Sequence, residues 1–463
     1  MSKADRLAKA FANGQQIAPF SDTEPEFDLA AGYAAQHELS ARRVFAGANI
    51  VGVKVGFTNT QIWEQYGIHA PIQVMASNGS MMGIAAASDR PVFAVSSGPA
   101  GGVTGAARLG KVTEDHDLIV FDMGGTTAKA SIIVSDTDGF ILAMANHPTF
   151  NPNEYNKVPK EEEVRMKNVA VTDVYEPGSV FKIVSVSGAL EERLITPNSI
   201  FDCGATTVPY RGRMVSMPAD SHAIGAADIR QIVRESSNRG TVQVGMQYAE
   251  RLGEDKFFAL IKSFGFGART GLITGAEIPG LLITPKDWDG LTISRVPMGH
   301  SVSVTAMQMH FAMSVVAAEG LLMQPQLVLR VEDPKTKATV LNYGPRSRGR
   351  AVSAATAAQM ATLLRAVCGK GGTAPIADIP GYEVAGKTGT TQKIVNGRYS
   401  NAHHVASFAG FFPVNDPKLA ITVIIDEPQG EGVGYGGKVS APIFRDVAEK
   451  CIRWLDIPPV STI

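Results

Sequence analysis

From residue 130 onward, apolar and polar positions recur with periods that name elements. Runs at 130–134 and 140–145 flank Ser135-Asp136-Thr137-Asp138-Gly139, a pattern that predicts a β-hairpin. A charged stretch at 157–167 follows and reads as a solvated loop or exposed helix. Pro177-Gly178 then halts the chain. Ser179 opens a run with apolar positions at Val180, Phe181, Ile183, Val184, Val186, Leu190 and Leu194, the spacing of a helix. Further helices are predicted over 227–234 and 241–252, with Phe257-Phe258 in another. The most apolar long window, 301–323, carries Gln308, His310 and Glu319, which predicts a buried core helix and not a membrane span. Strands are predicted around Lys387-Thr388-Gly389-Thr390, at 405–412 and at 419–425, with a loop holding His403 and His404. An amphipathic helix at 441–455 closes the pattern.

The first 129 residues follow a different text. A helical pattern (Ala4, Leu7, Ala8, Phe11) leads to a second helix at 27–45 and a strand at 50–55. The spacing predicts a tight loop at 97–102, a helix at 103–109 and an apolar strand at 118–121 that runs into Asp122-Met123-Gly124-Gly125-Thr126-Thr127.

At 463 residues the chain has room for two or three domains. Its 44% hydrophobic and 19% charged content is that of a soluble globular protein, and a net charge of −1 points away from nucleic acid. Cys203, Cys368 and Cys451 are widely spaced and odd in number. They predict neither a disulfide framework nor a structural metal, and no cofactor is expected. The N-terminal residues show no signal peptide or membrane anchor.

The chemistry lies in three short motifs. Ser-x-x-Lys (Ser179, Lys182), Ser-x-Asn (Ser236, Asn238) and Lys-Thr-Gly (Lys387, Thr388, Gly389, then Thr390) each occur once, in that order. On a helix Lys182 stands one turn above Ser179, so an amine can serve a hydroxyl nucleophile at a helix start. A lysine acts as base only if its pKa falls, through burial or a second cation, for which Lys387 is the candidate. Ser236 and Asn238 also read as plain caps, and Lys387-Thr388-Gly389 as a strand end. Three such coincidences in one order are a poor account of the set.

With these motifs, and with the text at 139–146, 299–305, 381–390 and 425–428, residues 130–458 resemble a class B penicillin-binding protein. The resemblance implies an α/β (α+β) fold of the penicillin-binding-protein and serine β-lactamase type, an antiparallel sheet flanked by helices, here with an irregular α/β N-terminal extension. It implies a peptidoglycan D,D-transpeptidase of the cell envelope, on the outer face of the cytoplasmic membrane. Such an enzyme acts on D-Ala-D-Ala stem peptides, is acylated by β-lactams and works with division or elongation proteins. Ser179 would be the nucleophile, Lys182 its base and Ser236 the proton shuttle. Asn238 would hold Lys182 and the substrate amide. Lys387, Thr388 and Thr390, with Gly389 between them, would take the terminal carboxylate, and the N–H groups of Ser179 and Thr390 would form the oxyanion hole.

Residues 52–67 resemble the start of 2-hydroxypentadienoate hydratases, and 73–134 resemble an ATP-dependent hydantoinase or oxoprolinase. The whole reads as a chimera: a fragment at 1–72, a fragment at 73–129 and a transpeptidase domain at 130–458. The first 129 residues are expected to be the less protected from proteolysis. The alternatives are hydrolysis of the β-lactamase or D,D-carboxypeptidase type, although no Glu-x-x-Leu-Asn follows Asn238, or an inactive fusion whose N-terminal part binds a nucleotide or a protein.

Overall fold

The hairpin forms where the two apolar runs and the polar turn between them predict it. Strand β1 (Lys129–Asp136) turns into β2 (Ile141–His147), and Asp136 Oδ1 ties the turn by accepting from the N–H groups of Asp138 (3.0 Å) and Phe140 (2.8 Å). The structure, a computed structural model, describes residues 73–75, 81–83 and 129–460, apart from 274–275, 396–397 and 429–434. The elements predicted at 4–11, 27–45, 50–55, 97–109 and 118–121, with Asp122, lie outside the described residues.

The remaining elements that frame the site follow in order. Strand β3 (Val174–Tyr175) leads through a 3-10 turn, Gly178–Phe181, into helix α1 (Lys182–Glu191). Helices α2 (Ile229–Arg234), α3 (Asn238–Leu252) and α4 (Glu254–Ser263) come next. Strands β4 (Leu281–Leu282) and β5 (Val302–Thr305) precede α5 (Ala306–Ala317) and α6 (Ala354–Cys368). Strands β6 (Ala385–Val395), β7 (Arg398–Phe412) and β8 (Leu419–Asp426) lead to α7 (Gly436–Trp454).

The main sheet is antiparallel throughout, in the order β6-β7-β8-β1-β2. One row of paired residues crosses it: Lys387, Ala409, Thr422, Ile133 and Met144. β1 and β8 are buried on both faces, which is why they read as unbroken apolar runs and not as alternating ones. Side chains alternate between faces, so Thr422 and its neighbour Val423 point opposite ways. On the Thr422 face lies α5, buried at all twelve positions. Its His310 bridges Ser135 (2.8 Å) and Thr422 (3.0 Å). On the opposite face Phe444 of α7 packs edge-on against Phe408, with ring centroids 4.8 Å apart.

Several predicted boundaries move. The first turn after Pro177 is 3-10, so Ser179 precedes the α-helix instead of opening it, and Lys182 is its first residue. Residues 226–228 are a strand, and Asp228 caps α2. α3 starts at Asn238, capped by Ser237 rather than by Ser236 or Asn238. The 301–323 window is a strand, a helix and a second strand, because Thr305 and Gln308 form a reciprocal capping box that starts α5 there. His403 and His404 belong to β7, not to a loop. α7 starts at Gly436, five residues ahead of the predicted helix. Among the described residues no helix is long and apolar enough to cross a membrane.

Candidate active site

Three elements that are distant in sequence converge at the start of α1. The 3-10 turn sets Ser179 and Lys182 three residues apart, a spacing at which side chains eclipse. The Lys182 N–H donates to Ser179 O, which closes that turn. The turn is fixed from outside by the Gly178 N–H, which donates to Gly299 O (3.0 Å). Gly299 sits at φ 86°, and a Cβ there would fall on Gly178 O, so the contact requires glycine. Glu176 secures the same corner: it accepts from the Ser301 N–H (2.8 Å) and the Tyr399 hydroxyl (3.0 Å), and pairs with His300 (3.2 Å). His300 is therefore structural, as its place after Gly299 suggests.

Lys182 is buried at the centre of the cluster. Its Nζ donates to Asn238 Oδ1 (2.7 Å), to Ser236 O (2.5 Å) and to Ser236 Oγ (3.2 Å). Ser236 has φ 61°, rare for a residue with a side chain, and both its carbonyl and its hydroxyl meet the same amine. Lys387 Nζ approaches that hydroxyl from β6 at 2.8 Å, so one oxygen joins two buried lysines. A hydroxyl has two acceptor sites, and filling both with lysine donors leaves its own proton free for a third group.

The electrostatics follow from this packing. Burial, and next the Lys387 charge, hold Lys182 well below the ordinary lysine range. Burial also brings Lys387 down to about 7. The expectation that a second cation lowers Lys182 is met, but desolvation is the larger cause.

The Lys-Thr-Gly strand divides its side chains by alternation. Lys387 and Gly389 face the helices, where a Cβ on Gly389 would lie 2.8 Å from Val180 Cγ2 and against Ser407 Oγ. Thr388 and Thr390 turn the other way: Thr388 Oγ1 meets Thr373 Oγ1 (2.9 Å), and Thr390 Oγ1 accepts from the Gly436 N–H at the start of α7 (3.1 Å). A cavity of about 410 Å³ lies alongside, lined by Tyr175, Glu176, Thr391, Lys393 and Asp426 among others, and not by Ser179.

Sequence reasoning missed Asp220, Glu176, Thr373 and Gly436. Asp220 holds the first turn of α3 through the Ser237 hydroxyl (2.8 Å) and the N–H groups of Asn238 and Arg239, and so aims Asn238 at Lys182. Nothing local marks it, because its partners lie 17 to 19 residues on.

The family model described as penicillin binding protein transpeptidase domain matches residues 130–449. A second, described as hydantoinase/oxoprolinase, matches residues 57–147 and overlaps the first. The chain is 34% identical to stage V sporulation protein D of Bacillus subtilis (strain 168), over 71% of this chain and 50% of that protein. It is 30% identical to peptidoglycan D,D-transpeptidase FtsI of Escherichia coli (strain K12), over 71% of this chain and 52% of that protein. It thus spans about half the length of these curated relatives. The crystal structure of penicillin binding protein 3 from Mycobacterium tuberculosis, complexed with aztreonam, is similar at TM-score 0.63 and 30% identity, over 72% of this chain and 74% of that one.

Proposed function

The chain belongs to the penicillin-binding protein transpeptidase family, and from that membership we propose that it is a serine-type peptidoglycan D,D-transpeptidase acylated by β-lactams. The observation that carries the reading is the Ser236 hydroxyl shared by two buried lysines, one of which, Lys182, closes the 3-10 turn that holds Ser179. Held low in pKa, Lys182 is the base that takes the Ser179 proton as its oxygen attacks the carbonyl between two D-alanines. Ser236 relays that proton to the departing amine. The N–H groups of Ser179 and Thr390 receive the oxyanion, and Lys387, Thr388 and Thr390 receive the terminal carboxylate. Asn238 keeps Lys182 aimed and holds the substrate amide.

By the same reading the domain at 130–458 works at the outer face of the cytoplasmic membrane with division or elongation proteins. The segments 1–72 and 73–129 are separate extensions. Support for the boundary at 130 comes from β1, which supplies an inner strand of the sheet.

The test is covalent labelling by a fluorescent penicillin, with mass spectrometry to locate the adduct and Ser179→Ala as control. A stable adduct on Ser179, absent from the variant, is expected. A folded chain that forms no adduct would refute the proposal, and rapid release of hydrolysed drug would favour the β-lactamase alternative.

A further inference from the structure

Ser221 and His222 lie outside the three motifs, and the acylation chemistry gives them nothing to do. Yet the chain from Pro218 to His222 runs antiparallel to residues 235–239. Arg239 Nε donates to Pro218 O (3.2 Å), Asn238 Nδ2 donates to Ala219 O (2.7 Å), and Asp220 accepts from Ser237. The next rung is His222 Nε2 against Glu235 Oε2 (3.2 Å), beside the residue that precedes Ser236. The other ring nitrogen, Nδ1, lies 3.1 Å from Ser221 Oγ. Ser221 is exposed and the His222 side chain is 53% exposed, whereas Glu235 is 19% exposed and also paired with Arg234 (2.7 Å). Burial works to raise the Glu235 carboxyl, but Arg234 and His222 outweigh it and hold it below its usual range. An ionised carboxylate at Nε2 favours the proton there and leaves Nδ1 as the basic nitrogen, with the Ser221 hydroxyl donating to it.

Transfer to an acceptor needs such a group. An amine arrives protonated at neutral pH and must lose two protons to become an amide nitrogen, of which the route through Ser236 and Lys182 returns only one, to Ser179 Oγ. We infer that His222, acting through Ser221, takes the surplus proton of the acceptor ammonium in the second half-reaction; this rests on the transpeptidase reading above. The ammonium passes one proton to Ser221 Oγ as Ser221 passes its own to His222 Nδ1, giving a free amine and an imidazolium paired with Glu235. The amine lone pair forms the C–N bond at the acyl carbon, and the bond from that carbon to Ser179 Oγ breaks. A second N–H proton returns through Ser236 and Lys182 to Ser179 Oγ, and the imidazolium gives its proton to water.

The experiment uses the full chain with a thioester peptide donor and D-alanine as the acceptor amine. It measures the ratio of transfer product to hydrolysis product. His222→Gln and Ser221→Ala are each expected to lower that ratio at least about tenfold, and added imidazole to restore part of it in His222→Ala. An unchanged ratio in His222→Gln overturns the inference. So does loss of Ser179 acylation in these variants, which would place His222 in folding or in the first half-reaction. Failure of the unsubstituted chain to form its penicillin adduct would overturn the transpeptidase reading instead, and is scored separately.

Discussion

In the proposed mechanism Lys182 is the base and Lys387 the carboxylate clamp, and their environments set how the site responds to pH. A base must be neutral, so acylation rises as Lys182 loses its proton, far below the ordinary value of 10.5. A carboxylate clamp must be charged, so the rate falls as Lys387 deprotonates, from about 7 upward. The second-order rate constant for penicillin acylation is therefore expected to be bell-shaped across neutral pH. A single rise centred near 10 would show that neither lysine is perturbed. Gly389 makes a second residue-scale case. Alanine there has to displace Ser407 and Val180, the latter inside the turn that carries Ser179. Gly389→Ala is expected to slow acylation about a hundredfold in a chain that stays folded, since an ångström of misplacement costs on that order.

At the scale of elements, what positions the site is mostly capping. α5 begins where it does because Thr305 and Gln308 satisfy each other's backbone groups, and the Gln308 amide also donates to Ala268 O (2.9 Å) and Pro279 O (2.8 Å). Gln308→Ala would take the donor from two part-buried carbonyls and break the box, a loss of about 1–3 kcal/mol. The denaturant midpoint should fall accordingly, and a change under about 0.5 kcal/mol would show that the box is incidental. The helix predicted over 301–323 was longer than the one that forms. Its apolar content was legible, but a strand buried on both faces and a buried helix share that content, and only the cap separates them. The 3-10 turn at Ser179 was hidden for a similar reason: the spacing of Val180, Phe181 and Ile183 suits either kind of turn.

For the whole molecule, the buried lysines tie activity to stability. Lys387 has an ordinary value of 10.5 and about 7 when folded. Between those values the unfolded chain holds a proton that the folded chain lacks, so stability rises with pH across that window, and the penalty is present in full below about 7. The unfolding free energy should gain about 2–3 kcal/mol between pH 7 and 9 from this residue, and Lys387→Met should flatten that slope. Equal slopes in the two chains would mean that Lys387 is solvated.

The sequence by itself determined the three motifs, their order, the strands at 130–134 and 405–425 and the helices around them, because local periodicity and rare residue types write these directly. Only the tertiary structure decided that Ser236 Oγ lies between two lysines 54 and 151 residues away. It also decided that Asp220 aims Asn238, and that burial outweighs the second charge at Lys182. Those facts depend on which surfaces exclude water and which distant strands pair, and neither is encoded in the spacing of any one segment.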